Sequence, residues 1–164
     1  MASGFRVARD EGTLYVQASG LANMKNAPLL DALFQSETGL DLHMVCVDLA
    51  QCTGMDSTFM GLLVGTSSTM KANGHRLVVL NPSELCTKLL DMLGVSEVVP
   101  VLAHVHAPEV TFVDLGEASV PVGAIQRMEV IRRAHHALAS VNEANHAQFA
   151  GFITALEADL ARLK

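Results

Sequence analysis

Apolar residues recur with two periods along this chain, and the switches between them divide it into elements. Phe5 to Arg9 and Thr13 to Ser19 alternate, with Phe5 and Val7, then Leu14, Val16 and Ala18, on one side. Around Asp10-Glu11-Gly12 this predicts a β-hairpin with a compact turn. Asn23 to Asn26 is a polar loop, and Pro28 suits the first turn of a helix carrying Leu29, Leu30, Leu33 and Phe34 that ends over Ser36–Leu40, closing on Gly39. His43 to Leu49 is a nearly continuous apolar run, as expected of a central strand covered on both faces. From Ser57 to Asn73 the period lengthens: Phe59, Leu62, Leu63, Thr66 and Met70 share one side of a helix, and Asn73-Gly74 stops it. Met60 and Val64 fall on a second side, as a small contact patch if exposed and as peripheral core if covered.

Arg76 to Leu80 is the next strand, and Pro82 opens a helix with apolar Leu85, Leu89, Leu90 and Leu93 that stops at Gly94. Val98 to Ala103 reads as a fifth strand, with Pro100 arguing for an edge position or a strand end. Alternation of strand and helix from residue 43 onward predicts an α/β fold: a mixed, mostly parallel sheet of about five strands with right-handed crossovers and a hairpin at its mixed edge. His104 to Gly123 is irregular. Ala124 to Leu163 contains no proline and predicts a long C-terminal helix, or a helical hairpin broken at a capping box over Ser140-Val141-Asn142-Glu143. Phe149, Phe152 or Ile153, Leu156, Leu160 and Leu163 form an apolar seam. That seam must pack on the sheet domain, within a helical hairpin, or against a second copy; self-association is the reading we favour. The domain assignment is therefore 1–115 for the α/β unit and 116–164 for the helical extension.

Composition alters this picture little. Half of the residues are hydrophobic but only 4 % are aromatic, so the core is aliphatic, and the longest apolar runs are too short to span a bilayer. With no apolar signal core at MASGFRVARD, a cytoplasmic protein without direct membrane insertion is expected. Residues 1–116 hold 6 Lys and Arg against 12 Asp and Glu, and residues 117–164 hold 5 against 5, so neither part offers nucleic acid a basic stripe. Cys46, Cys52 and Cys86 lack C-x-x-C spacing and read as reduced thiols. His104 and His106, or His135 and His136, do not have the spacing of a zinc site, so neither a metal nor another cofactor is expected. Ser57 lies outside G-x-S-x-G and has no assignable base, there is no phosphate-cradling P-loop, and no catalytic residue is assigned.

Chemistry concentrates at Asp56-Ser57-Thr58, between the central strand and its helix. Asp56 or Ser57 can serve as an N-cap. Two hydroxyls in a first helical turn also sit where backbone N–H groups are unpaired and the helix dipole is positive, a favourable place for a phosphate.

Asp48-Leu49, Asp56-Ser57-Thr58, Gly61, Gly74, Arg76-Leu77 and Leu93-Gly94 occur in an order and spacing that resemble the STAS family, over about residues 5 to 105. That family includes anti-sigma-factor antagonists and the cytoplasmic tails of sulfate transporters. The resemblance implies a non-catalytic regulatory module whose partner is an anti-sigma-type serine kinase or related regulatory protein, released when a hydroxyl after the Asp is phosphorylated. Carried over, Thr58 takes the second hydroxyl position and is the first choice for the modification, with Ser57 next; Asp56, Ser57, Thr58, Met60, Val64 and Asn23 form the expected partner-binding set. Two residues depart from the pattern: Phe59 stands where the family commonly has Gly, and Asn23 where it usually has Asp. A constitutive scaffold assembled through the C-terminal helix, and an accessory subunit of a membrane transport system, are the alternatives.

Overall fold

The computed structural model describes residues 2–37, 41–118 and 122–164. Strands β1 (Gly4–Asp10) and β2 (Thr13–Ala22) form the predicted hairpin, with positive φ at both Glu11 and Gly12 as a tight two-residue turn requires. Helix α1 (Ala27–Glu37) follows, and its predicted stop on Gly39 lies outside the described residues. Strand β3 (Met44–Met55) and helix α2 (Ser57–Ala72) come next, then β4 (Arg76–Leu80) and α3 (Glu84–Met92), which Ser83 caps by accepting from the N–H of Cys86.

Part of the expected fifth strand is helical. Gly94, at φ 70, ends α3 and starts a single turn, α4 (Val95–Val98), that buries Val95 completely. Val99, before Pro100, must be extended, and only β5 (Val101–Leu102) then pairs with β4. A sixth strand, β6 (Val113–Asp114), pairs with β1 within the segment read as irregular; two residues are too few to show a period. The six-stranded sheet runs β5-β4-β3-β2-β1-β6, parallel from β5 to β2 and antiparallel across β1.

Val45, Val47 and Leu49 alternate toward the helical side and are fully buried there with Leu63, Leu77 and Val79. The opposite face holds a smaller cluster of Cys46, Val78 and Leu80, closed by Val105. Asn81, at φ 53, fixes that closing segment through two hydrogen bonds with the backbone of Val105, at 2.7 and 2.8 Å.

After α5 (Leu115–Ala118), the chain forms α6 (Ala124–Ala139) and α7 (Glu143–Leu163). The break falls where expected, but the cap is Asn142, whose side chain accepts from the N–H of Asn145, while Ser140 bonds back to Ala137. The two helices fold as a hairpin onto the outer side of α2 and make a third layer over the sheet and its helices. Leu138, Phe149 and Ile153 join the main core and Leu156 and Leu160 pack on Ile131, so most of the seam is covered within one chain, while Phe152 and Leu163 stay exposed.

Candidate functional site

Asp56 leaves β3 in an extended conformation and starts α2. One carboxylate oxygen accepts from the N–H of Phe59 at 2.9 Å, the expected cap; the other accepts from the N–H of Met24 at 2.8 Å. A single carboxylate thus pins the β2–α1 loop against the first turn of α2. Asn23 sits in that loop and is used internally: its carbonyl accepts from Ala27 N–H and its side chain from Lys25 N–H.

The three residues after Asp56 point in different directions. Ser57 is half-buried and faces outward. Thr58 is 3 % exposed. Phe59 is fully buried and stacks on Phe5 with ring centroids 6.0 Å apart, so the side chain that departs from the family pattern fills the core beneath β1 and stays away from the hydroxyls. Met60 and Val64, read as a contact patch if exposed, are instead buried at 3 % and 7 %, because α2 lies between the sheet and the C-terminal hairpin. Asp56, Ser57, Thr58 and Asn23 are brought together at one end of α2; Met60 and Val64 belong to the packing behind them.

The residue that completes the site was not foreseen. The hydroxyl of Ser57 lies 2.9 Å from Nε2 of His135, 78 positions further along the chain. His135 Nδ1 is 2.8 Å from the carbonyl of Ile131, which can only accept, so the neutral ring carries its proton on Nδ1 and accepts the Ser57 proton at Nε2. The ring is 4 % exposed and packs on Phe149 and Phe152, at centroid distances of 5.3 and 4.7 Å. Its only sequence signal was its place among Ile131, Ala134 and Leu138 on the buried side of α6.

Small residues let α6 come this close. A Cβ at Gly61 would collide with the carbonyl group of Ala134, and one at Gly65 would lie 3.6 Å from the Cβ of Ala137. Spaced four apart, Gly61 and Gly65 share a side of α2, opposite the sheet-facing Phe59, Leu63 and Met70. Polar ties surround this contact. Arg127 donates to the carbonyls of Met24 and Lys25 at 3.0 and 2.9 Å, and Arg133 makes a two-pronged pair with buried Asp31 of α1 at 3.2 and 2.8 Å. Asn145 donates to the carbonyls of Leu93 and Leu138 at 2.8 and 3.0 Å. The Asp31 carboxylate beside Arg133 raises the guanidinium's pKa further. Between α1, α2 and α6 a cavity of about 250 Å³ remains, bordered by Asp31, Gly61, Gly65, Thr66 and Arg133.

A serine bonded to a histidine invites comparison with a nucleophile and its base, but the orienting group here is a neutral carbonyl. An imidazolium formed on proton transfer would have no carboxylate to stabilise it and would be walled by two phenyl rings. The geometry holds the hydroxyl of Ser57 in place. Among the described residues, no helix is long and apolar enough to cross a membrane.

The STAS domain model matches residues 5–107. An anti-sigma-B factor antagonist from Bacillus subtilis (strain 168) is 30 % identical over 99 residues, covering 59 % of this chain and 88 % of that protein. Among solved structures, the unphosphorylated anti-sigma factor antagonist SpoIIAA is similar with a TM-score of 0.52 and 17 % identity, over 64 % of this chain and 89 % of the other. The phosphorylated form of the Bacillus cell fate determinant SpoIIAA gives a TM-score of 0.51 at 19 % identity, over 64 % and 92 %. At such identities the structural likeness speaks for the fold alone. Both C-terminal helices lie beyond the matched residues, and the sheet, its helices and the turn at Asp56 lie within them: the chain belongs to the STAS domain family.

Proposed function

We propose that this chain is a regulatory protein-binding module of the anti-sigma-factor antagonist type, switched by phosphorylation at the start of α2. The observation that carries the reading is a hydroxyl-bearing first turn beside the Asp56 cap, in a chain whose relative is an anti-sigma-B factor antagonist. The partner is an anti-sigma-type serine kinase or a protein that resembles one. A phosphoryl group adds about −1.5 to −2 charge at neutral pH. On the first turn of α2 it meets a favourable helix dipole, but it crowds the Asp56 carboxylate and is costly to desolvate in a protein contact. Unmodified, the same turn can be buried by a partner.

By motif position Thr58 is the first choice and Ser57 the second. Exposure supports the reverse order, since Thr58 is 3 % exposed while Ser57 is half-buried with its hydroxyl against His135. Incubation with an anti-sigma-type serine kinase and ATP, followed by peptide mass mapping, distinguishes them; we expect one phosphate on the peptide holding both residues. No phosphate at either position, together with undiminished partner binding by Ser57→Glu and Thr58→Glu variants, would refute the switch.

A further inference from the structure

The outward face of α2 begins at Ser57 and continues through Gly61 and Gly65, and α6 covers all three. With Nε2 of His135 2.9 Å from the Ser57 oxygen, the ring occupies one approach to the hydroxyl. The ring is held by Ile131, Phe149 and Phe152. Docking of the hairpin therefore restricts access to Ser57.

Two kinds of contact hold the hairpin. Small residues approach closely, Gly61 and Gly65 against Ala134 and Ala137, and Leu138, Phe149 and Ile153 join the main core. Arg127, Arg133, Asn145 and His135 fasten it through polar bonds that water can replace once the surfaces part. The layer beneath buries Phe59, Leu63, Leu77 and Val79 against the sheet, in the core that Leu138, Phe149 and Ile153 join from the hairpin. The Bacillus subtilis relative, 88 % of which is spanned by the match, is little more than that layer.

We propose that the α6–α7 hairpin is a detachable cover, a resident partner in cis, and that Ser57 and the outward face of α2 become available to a kinase or a second protein only when it lifts. Lifting would bare Gly61, Gly65 and the apolar side chains that meet Leu138 and Phe149, and that is the surface a partner in trans would have to bury in the hairpin's stead. The inference rests on the switch reading for its purpose, but its test involves no kinase. A cover that does not lift and a serine that accepts no phosphate are separate results.

The test is thiol labelling of full-length Ser57→Cys with iodoacetamide, read site by site by mass mapping. Cys52, buried in the main core, is the internal reporter of global unfolding. Position 57 is expected to react on the order of tenfold or more faster than Cys52, as sub-global opening requires. Adding Gly61→Val, whose side chain collides with Ala134, or Asn145→Ala, which cuts the tie of the hairpin to Leu93 and leaves the His135 ring intact, is expected to speed position 57 by a similar factor and leave Cys52 unchanged. Selective acceleration at position 57 in either variant supports the cover. If neither variant accelerates position 57, or both sites accelerate together in both variants, the hairpin is an inseparable part of the core and the proposal is overturned.

Discussion

Asp56 accepts two backbone N–H groups, Phe59 at the start of α2 and Met24 in the loop before α1, so removing its carboxylate leaves two amides without their acceptor. Loss of a cap costs about 1 kcal/mol, and the exposed Met24 amide adds little because water can take the place of its acceptor. Thermal unfolding followed by circular dichroism should place Asp56→Ala several degrees below the parent chain, roughly 2–4 °C for each kcal/mol in a domain of this size. A shift within a degree would show that the carboxylate is not the clamp described. Phe59→Ala should be far more damaging, about 3–5 kcal/mol in a urea titration, because it empties a fully buried ring site under β1. Asp56 was legible in the sequence because a cap is a local matter, settled within three residues. His135 was not, since its bond to Ser57 spans 78 positions and a histidine on an apolar helix face carries no mark of the partner it will meet. Phe59 was legible as an oddity, and only its stacking on Phe5 explains it.

At the level of elements, the long C-terminal helix divides because Ser140 and Asn142 compete for the backbone and Asn142 caps α7. Three residues on, Asn145 is 2 % exposed and ties the hairpin to the end of α3 through the carbonyl of Leu93. Asn145→Ala should cost about 1–3 kcal/mol, seen as an earlier urea transition, because two buried carbonyls lose a donor. The far end of the hairpin is fastened by charge: Lys164 first, then Arg132, hold the Glu129 carboxyl below its ordinary value. A carboxylate held low stabilises the folded form at and above the ordinary carboxylate range and loses that contribution as pH falls through its depressed value. The protection factors of amides in the last turn of α7, relative to intrinsic exchange at each pH, should thus fall on acidification below about pH 4.5, and Glu129→Gln should abolish that dependence. If protection in the variant falls identically, the tie is irrelevant. Strand β6 and the helical turn α4 escaped the sequence for a simpler reason, since elements of two and four residues are shorter than the periods that reveal them.

For the whole molecule, the alternation of strands and helices over residues 43 to 103 was enough to predict a mostly parallel sheet, and the ordered residues around Asp56 were enough to place it in its family. The placement of the extension was beyond such reasoning. An apolar seam says only that it needs a surface, and the surface it meets is a pair of glycines on α2, residues that register in a sequence as an absence of side chain. Removing residues 117–164 should leave a folded STAS domain by circular dichroism while baring the outer face of α2, and light scattering should then show a mass that rises with concentration. An unfolded product would mean that the third layer is required by the first two.

The position of the hairpin after the sheet domain also orders events during synthesis. β1 through α3 are translated before α6, and at about 5–20 residues per second the 48 residues from 117 onward occupy the ribosome for several seconds. For that interval the nascent domain carries an open α2, before its own hairpin can close over it. A protein that recognises that face meets no competitor at the polysome, and two neighbouring nascent chains can exchange hairpins there.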